Sequence, residues 1–111
     1  MDIITRLEEV ILIAIWKLQE NAYGVTINKE VSRSFQKKYT MGALYFSLDQ
    51  LHKKGFVSKA TGNPTPERGG RSKTFYFLTV EGKKALQRAK DHQEALWKEI
   101  PDAAFKKGEM K

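Results

Sequence analysis

The chain contains no cysteine. That excludes a disulfide framework, thiolate metal sites and a cysteine nucleophile, and it fits a reducing compartment, so the cytoplasm is the expected location. Long hydrophobic runs are missing too. The longest, VILIAIW at residues 10–16, is far short of the roughly 20 apolar residues that a membrane-spanning helix needs. No basic leader or small-residue cleavage site accompanies it, so a secretory signal is not expected. Histidine is limited to His52 and His92. Neither has a partner at metal-ligand spacing, no carboxylate pair or Ser/His/Asp arrangement is evident, and no phosphate-binding glycine motif occurs. No catalytic residue, metal or cofactor is expected, and no internal repeat is visible.

Acidic residues are the minority charge. Against 13 Asp and Glu stand 20 Lys and Arg, a formal net charge of +7 in 111 residues. A basic surplus of this size suits a polyanionic partner such as double-stranded DNA. Apolar residues make up 41% of the chain, enough for one modest core. A domain this small often completes its burial by oligomerising.

The pattern of apolar residues divides the chain into six elements. Thr5 and Glu8 form a T-x-x-E capping box at the head of a helix over residues 5–20. Leu7, Ile11, Ala14 and Leu18 make one apolar stripe, with Leu12, Ile13 and Trp16 expected on the other side. Two apolar faces need cover from two directions. After the break at Tyr23-Gly24, residues 25–37 carry Ile27, Val31 and Phe35 at helical spacing. Thr40 caps a third helix over 41–54, with Leu44, Leu48 and Leu51 pointing inward and Gly55 closing it.

Residues 56–60 and 75–78 read as strands of a hairpin whose connecting stretch, 61–73, is rich in glycine, proline and basic residues. Thr79 caps the last helix, over 80–100. Leu86, Ala89, Gln93, Leu96 and Ile100 step along it by 3 and 4, a seam with one polar break, and Pro101 ends it. Residues 102–111 carry no clear pattern, so a frayed tail is expected.

Three helices, a two-stranded wing and a long helix, with a short turn between the second and third, predict a winged helix-turn-helix: mainly α, with the third helix in the major groove. Its outward face should bear Gly42, Ala43, Phe46, Asp49, Gln50 and Lys53. Gln50 suits adenine, Phe46 a thymine methyl and Ser47 a base or phosphate. Arg68, Arg71 and Lys73 in the wing suit the DNA backbone, with Gly69 and Gly70 letting it bend. Lys29, Lys37 and Lys38 are weaker candidates for the same role.

The segment MGALYFSLDQLHKKGFV at residues 41–57, then GGRSKTFYFLTVEGKKAL, with Tyr23-Gly24 upstream, resembles the PadR family of bacterial transcriptional regulators over about residues 7–90. The short chain is similar to the family's compact subgroup with a single C-terminal dimerisation helix. The resemblance implies a DNA-binding domain at 1–78, a dimerisation helix at 79–101 and a tail at 102–111. It implies a homodimer on a pseudo-palindromic operator, a repressor released by a small effector.

The expected DNA-binding set is Thr40, Ala43, Tyr45, Phe46, Ser47, Gln50, Arg68, Arg71 and Lys73. Tyr45 matches the family's characteristic tyrosine; it either meets a phosphate or packs under the second helix. The expected dimer interface is Leu12, Ile13, Trp16, Leu86, Ala89, Gln93, Leu96, Trp97 and Ile100. Some compact members hold flat aromatic ligands between tryptophans, so Trp16 and Trp97 are either packing residues or ligand residues. A small-molecule sensor with weak DNA affinity and a winged-helix protein-interaction module are the alternative readings.

Overall fold

A computed structural model describes residues 3–62 and 72–106. The fold is a winged helix built from α1 (Arg6–Leu18), α2 (Gly24–Phe35), α3 (Met41–Lys53), β1 (Val57–Thr61), β2 (Thr74–Leu78) and α4 (Val80–Lys98). Single 3-10 turns follow α1 at Gln19–Asn21 and α4 at Asp102–Phe105.

The helix starts are fixed locally, as the sequence predicts. Thr5 Oγ1 accepts from the Glu8 amide at 3.0 Å, and Glu8 Oε1 accepts from the Thr5 amide at 2.9 Å, so the capping box closes. Thr40 and Thr79 cap α3 and α4 through the amides of Ala43 and Gly82 at 3.2 and 3.0 Å. Gly55, at φ +81°, terminates α3.

The turn between α2 and α3 is held by side chains of α2. Asn28 Nδ2 donates to the Tyr39 carbonyl at 2.6 Å, and Ser32 Oγ accepts from the Tyr39 amide at 3.0 Å. These bonds fix where α3 begins relative to α2. On the inner side, Ile27 and Val31 of α2 meet Leu44, Leu48 and Leu51 of α3 in one core with Ile11, Leu12 and Ile15 of α1.

Leu12 departs from expectation. It does not share a free face with Ile13 and Trp16 but is fully buried in the chain's own core, so it offers nothing to a partner. The reason is the number of neighbours: α1 is packed by α2, α3, α4 and β2 at once, and a wider arc is enclosed than one stripe. Ile13 and Trp16 remain exposed.

β1 and β2 pair antiparallel, from Val57 opposite Leu78 to Thr61 opposite Thr74. The alternation puts Tyr76 inward and Phe77 outward. The sheet has an extra rung that the sequence does not announce. Tyr23 bridges Phe75, and the Tyr76 amide donates to the Ala22 carbonyl at 2.8 Å, so the segment before α2 ties the wing to the helices.

The first half of α4 is part of the body. The Gly82 position lies against the Phe56 carbonyl so closely that a Cβ there would collide with backbone, which explains the glycine. Thr79 Oγ1 donates to the Gly55 carbonyl at 2.6 Å, and Ala85 is buried. Gln93 Nε2 donates to Glu9 Oε1 at 3.0 Å, so the polar break in the seam meets a carboxylate of the chain's own α1. Glu8, buried, receives Lys54 Nζ at 2.7 Å and locks α1 to the end of α3. Beyond Gln93 every residue of α4 is exposed. At the 3-10 turn that follows, the Phe105 ring comes to 6.0 Å from that of Trp97.

Candidate functional site

Two surfaces stand out, and each is set by a helix that faces two ways. The first is the outer face of α3. Its leucines are sealed in the core, and 3.6 residues per turn then push Gly42, Phe46, Asp49 and Lys53 to the opposite side. Phe46 is 66% exposed, while Ala43, Ser47 and Gln50 are half-buried along one edge and Thr40 is exposed at the helix start. The space beside Gly42 is open: a Cβ there would meet nothing within 4 Å.

Tyr45 lies on the flank of this face, and its hydroxyl packs against Gly24 at the start of α2. The ring thus packs at the head of α2, while the side chain stays 44% exposed. The Tyr76 phenol is pushed above the usual tyrosine range, first by burial and then by the nearby Tyr45 and Asp49. Tyr45 and Asp49 of α3 are thus near enough to Tyr76 of β2 to act on its phenol.

Lys73 sits at the base of the wing with its ammonium 4.2 Å from the centre of the Tyr23 ring. Tyr23 is itself held edge-on by Phe75 at 5.7 Å. The charge is therefore placed on an aromatic platform next to Gly24, against which Tyr45 of α3 packs. Arg68 and Arg71, with Gly69 and Gly70, lie outside the described residues. Lys29, Lys37 and Lys38 are exposed along α2 and just beyond it. Arg33 is engaged with Glu30 at 2.8 Å, and this hydrogen bond holds the Glu30 carboxyl below its usual range.

The Tyr23 platform is not legible in the sequence. Tyr23-Gly24 reads only as a break between helices, because the ring is recruited by strand residues far along the chain. Asp49 belongs to the outward face by periodicity, yet nothing local announces its influence on the Tyr76 phenol.

The second surface is apolar. Along the seam of α4, Leu86, Ala89 and Gln93 are half-buried, whereas Leu96, Trp97 and Ile100 are 49%, 59% and 43% exposed. Trp16 is exposed as well, and within one chain neither tryptophan is packed in an α1–α4 interface. A cleft of about 550 Å³ opens on one flank of α4, lined by Ile4, Arg6, Glu9, Ala85, Arg88 and Ala89 among others. Another of about 520 Å³ lies beside Ile13, Trp16, Leu86 and Lys90. His52 and His92 are exposed, and the described residues hold no group of His, Asp and Glu that could bind a metal ion. No described helix is long and apolar enough to cross a membrane.

Residues 11–88 match the model of the transcriptional regulator PadR-like family. Among solved structures, the RosR protein of H. salinarum is 30% identical, with a TM-score of 0.63 over 90% of this chain and 81% of that one. A PadR family transcription regulator from Clostridium difficile is 22% identical, with a TM-score of 0.68 over 86% of this chain and 95% of that one. A PadR-like transcriptional regulator from Bacillus cereus is 19% identical, with a TM-score of 0.71 over 91% of this chain and 93% of that one. The latter two likenesses speak to the fold. No curated protein matches the chain.

Proposed function

The chain belongs to the PadR-like family of transcriptional regulators, and from that premise we propose that it is a dimeric, sequence-specific DNA-binding repressor. The observation that carries this reading is the outer face of α3, an exposed aromatic among small and polar residues; the charge of Lys73, held over the Tyr23 ring next to the Gly24 on which Tyr45 packs, supports it. Such a face suits base edges in the major groove, with backbone contacts at its margin.

In this reading residues 1–78 bind DNA, with Gln50 hydrogen-bonding a base, Thr40, Ala43 and Ser47 lining the approach, and Lys73, Arg68 and Arg71 gripping phosphates. Residues 79–101 join two copies through Leu96, Trp97 and Ile100, with Ile13 and Trp16 as the neighbouring apolar surface. Two α3 helices then meet successive major grooves of a pseudo-palindromic operator, about 34 Å apart. Repression is steric, because the dimer covers promoter DNA in the cytoplasm. No catalytic step is part of this function.

Release requires a ligand that binds one dimer geometry better than the other. The exposure of Trp16 and Trp97, with clefts along α4, supports a small aromatic effector at this end of the molecule. Quenching of tryptophan fluorescence by planar aromatic compounds, lost in Trp97→Leu, tests that part. The DNA reading is tested by selecting bound duplexes from a random pool. Enrichment of an inverted repeat with one helical turn between half-site centres supports it. Recovery of unenriched DNA, with light scattering showing a monomer, sinks it.

A further inference from the structure

Phe46 has an exposure that the fold does not explain. Its side chain is 66% exposed and belongs neither to the core nor to the aromatic pairs found among the described residues. At 100° per residue it lies within about 15° of diametrically opposite the centre of the Leu44, Leu48 and Leu51 stripe. With Lys53, two turns further on, it marks the outermost line of α3, and it is the large apolar side chain on that line. One turn earlier on the same face stands Gly42, and here the chain does not call for glycine. A Cβ would meet nothing within 4 Å, whereas at Gly82 it would strike the Phe56 backbone. Alanine is the better helix former, so Gly42 is a position where local stability is given up although nothing within the chain demands it.

A bare ridge of aromatic carbon beside a notch of open backbone suits one feature of the major groove. The 5-methyl group of a pyrimidine is the apolar knob on an otherwise hydrogen-bonding floor. Phe46 can cover it without satisfying any polar group, and Gly42 leaves room for the base edge to come close to the helix backbone. Gln50, one turn beyond Phe46, is then positioned for the adjacent base pair. The neighbours Ala43 and Ser47 are short enough not to hold the groove away.

We propose that Phe46, with the clearance at Gly42, is a specificity-determining element that reads a 5-methylpyrimidine in each half-site. The inference rests on the reading of α3 as the recognition helix. Thymine and C5-methylated cytosine carry the same methyl group and are the two sources of this chemistry.

The test starts from a duplex selected by the native protein. Each thymine of the half-site is replaced singly by deoxyuridine, which keeps the pairing and O4 and removes only the methyl. At one position per half-site, binding by the native protein is expected to fall about fourfold, the worth of one buried methyl-sized group. Phe46→Ala should bind more weakly and show no difference between thymine and deoxyuridine at that position, while sensitivity elsewhere is kept. Phe46→Leu should restore part of the difference, and unchanged circular dichroism shows that either variant is folded. If the position instead pairs with guanine, methylation of that cytosine at C5 should strengthen native binding by a similar factor, which identifies methylcytosine as the source.

The proposal is overturned if no pyrimidine methyl matters to the native protein, or if Phe46→Ala keeps the same methyl dependence. Gln50→Ala separates the two levels. Should it relax sequence preference while no position answers to Phe46, only the methyl reading falls. Should neither Gln50→Ala nor Phe46→Ala alter preference, the assignment of α3 falls with it.

Discussion

Phe46 on α3 and Trp97 on α4 are both large aromatics left in the open, at 66% and 59% exposure, yet their surroundings differ. Phe46 stands alone, with glycine, short side chains and polar groups around it. Trp97 belongs to a stripe with Leu96 and Ile100, and that stripe continues the line of Ala85, Ala89 and Gln93 by which α4 meets its own body. An isolated exposed aromatic has too little apolar area around it to hold a protein partner, but enough to touch one feature of a base. A stripe that runs out of its own body and continues bare has the area and periodicity for another helix. Exposure alone does not separate the two kinds of site; the company that the exposed residue keeps does.

The largest effect should come from breaking the stripe. Leu96→Asp puts a charge in the middle of the bare segment and is expected to dissociate the dimer. With only one half-site engaged at a time, affinity for the operator should fall on the order of a hundredfold or more. Light scattering and a DNA titration on the same sample check this. A well-folded monomer for the unmodified chain would remove the contrast between the two surfaces.

On α3 a smaller and more selective loss is expected. Gln50→Ala should reduce discrimination between the operator and a scrambled duplex by roughly 1–3 kcal/mol. It should leave the dimer intact, as competition binding alongside light scattering can show. Lys73→Ala should weaken operator and scrambled DNA alike. The slope of log affinity against log salt should become shallower by about one ion for every phosphate that each subunit no longer touches. If Lys73→Ala changes which sequence is preferred, the wing base reads the groove and the division between the two faces needs redrawing.

The smallest effect should be the most diagnostic. Gly42→Ala is expected to leave stability unchanged or raise it by up to about 1 kcal/mol, because alanine favours the helix and the site is empty. Operator binding should nevertheless weaken. Denaturant unfolding and DNA titration moving in opposite directions would mark this glycine as kept for a partner. A simple gain in stability with no loss of binding would mean that α3 does not come close to DNA at its first turn.

Much of this architecture is legible along the chain because its signals are local. The capping box of Thr5 and Glu8, the caps at Thr40 and Thr79, the leucines of α3 and the closing Gly55 each act within one or two helical turns, so they survive without knowledge of the rest of the fold. The outward face of α3 follows from the same periodicity, since once the leucines are buried the opposite residues have nowhere else to point. Element order then predicts the winged helix, and the structure bears that out.

The rest depends on residues far apart in the chain. Leu12 is buried because four elements converge on α1, which one helix's periodicity cannot express. Gln93 looks like a flaw in a dimer seam until Glu9, 84 positions away, is brought within hydrogen-bonding distance of it. Lys73 looks like a bare cation until the fold sets the Tyr23 ring beside its ammonium, while the neighbouring Ala22 carbonyl pairs with the wing strand. The sequence by itself determined which faces are apolar, where the threonine-capped helices start and where α3 stops, and that positive charge gathers near a glycine-rich wing. Only the tertiary structure decided which apolar faces are used up inside the chain and which are left for another molecule, because burial is a property of what packs against a residue rather than of the residue.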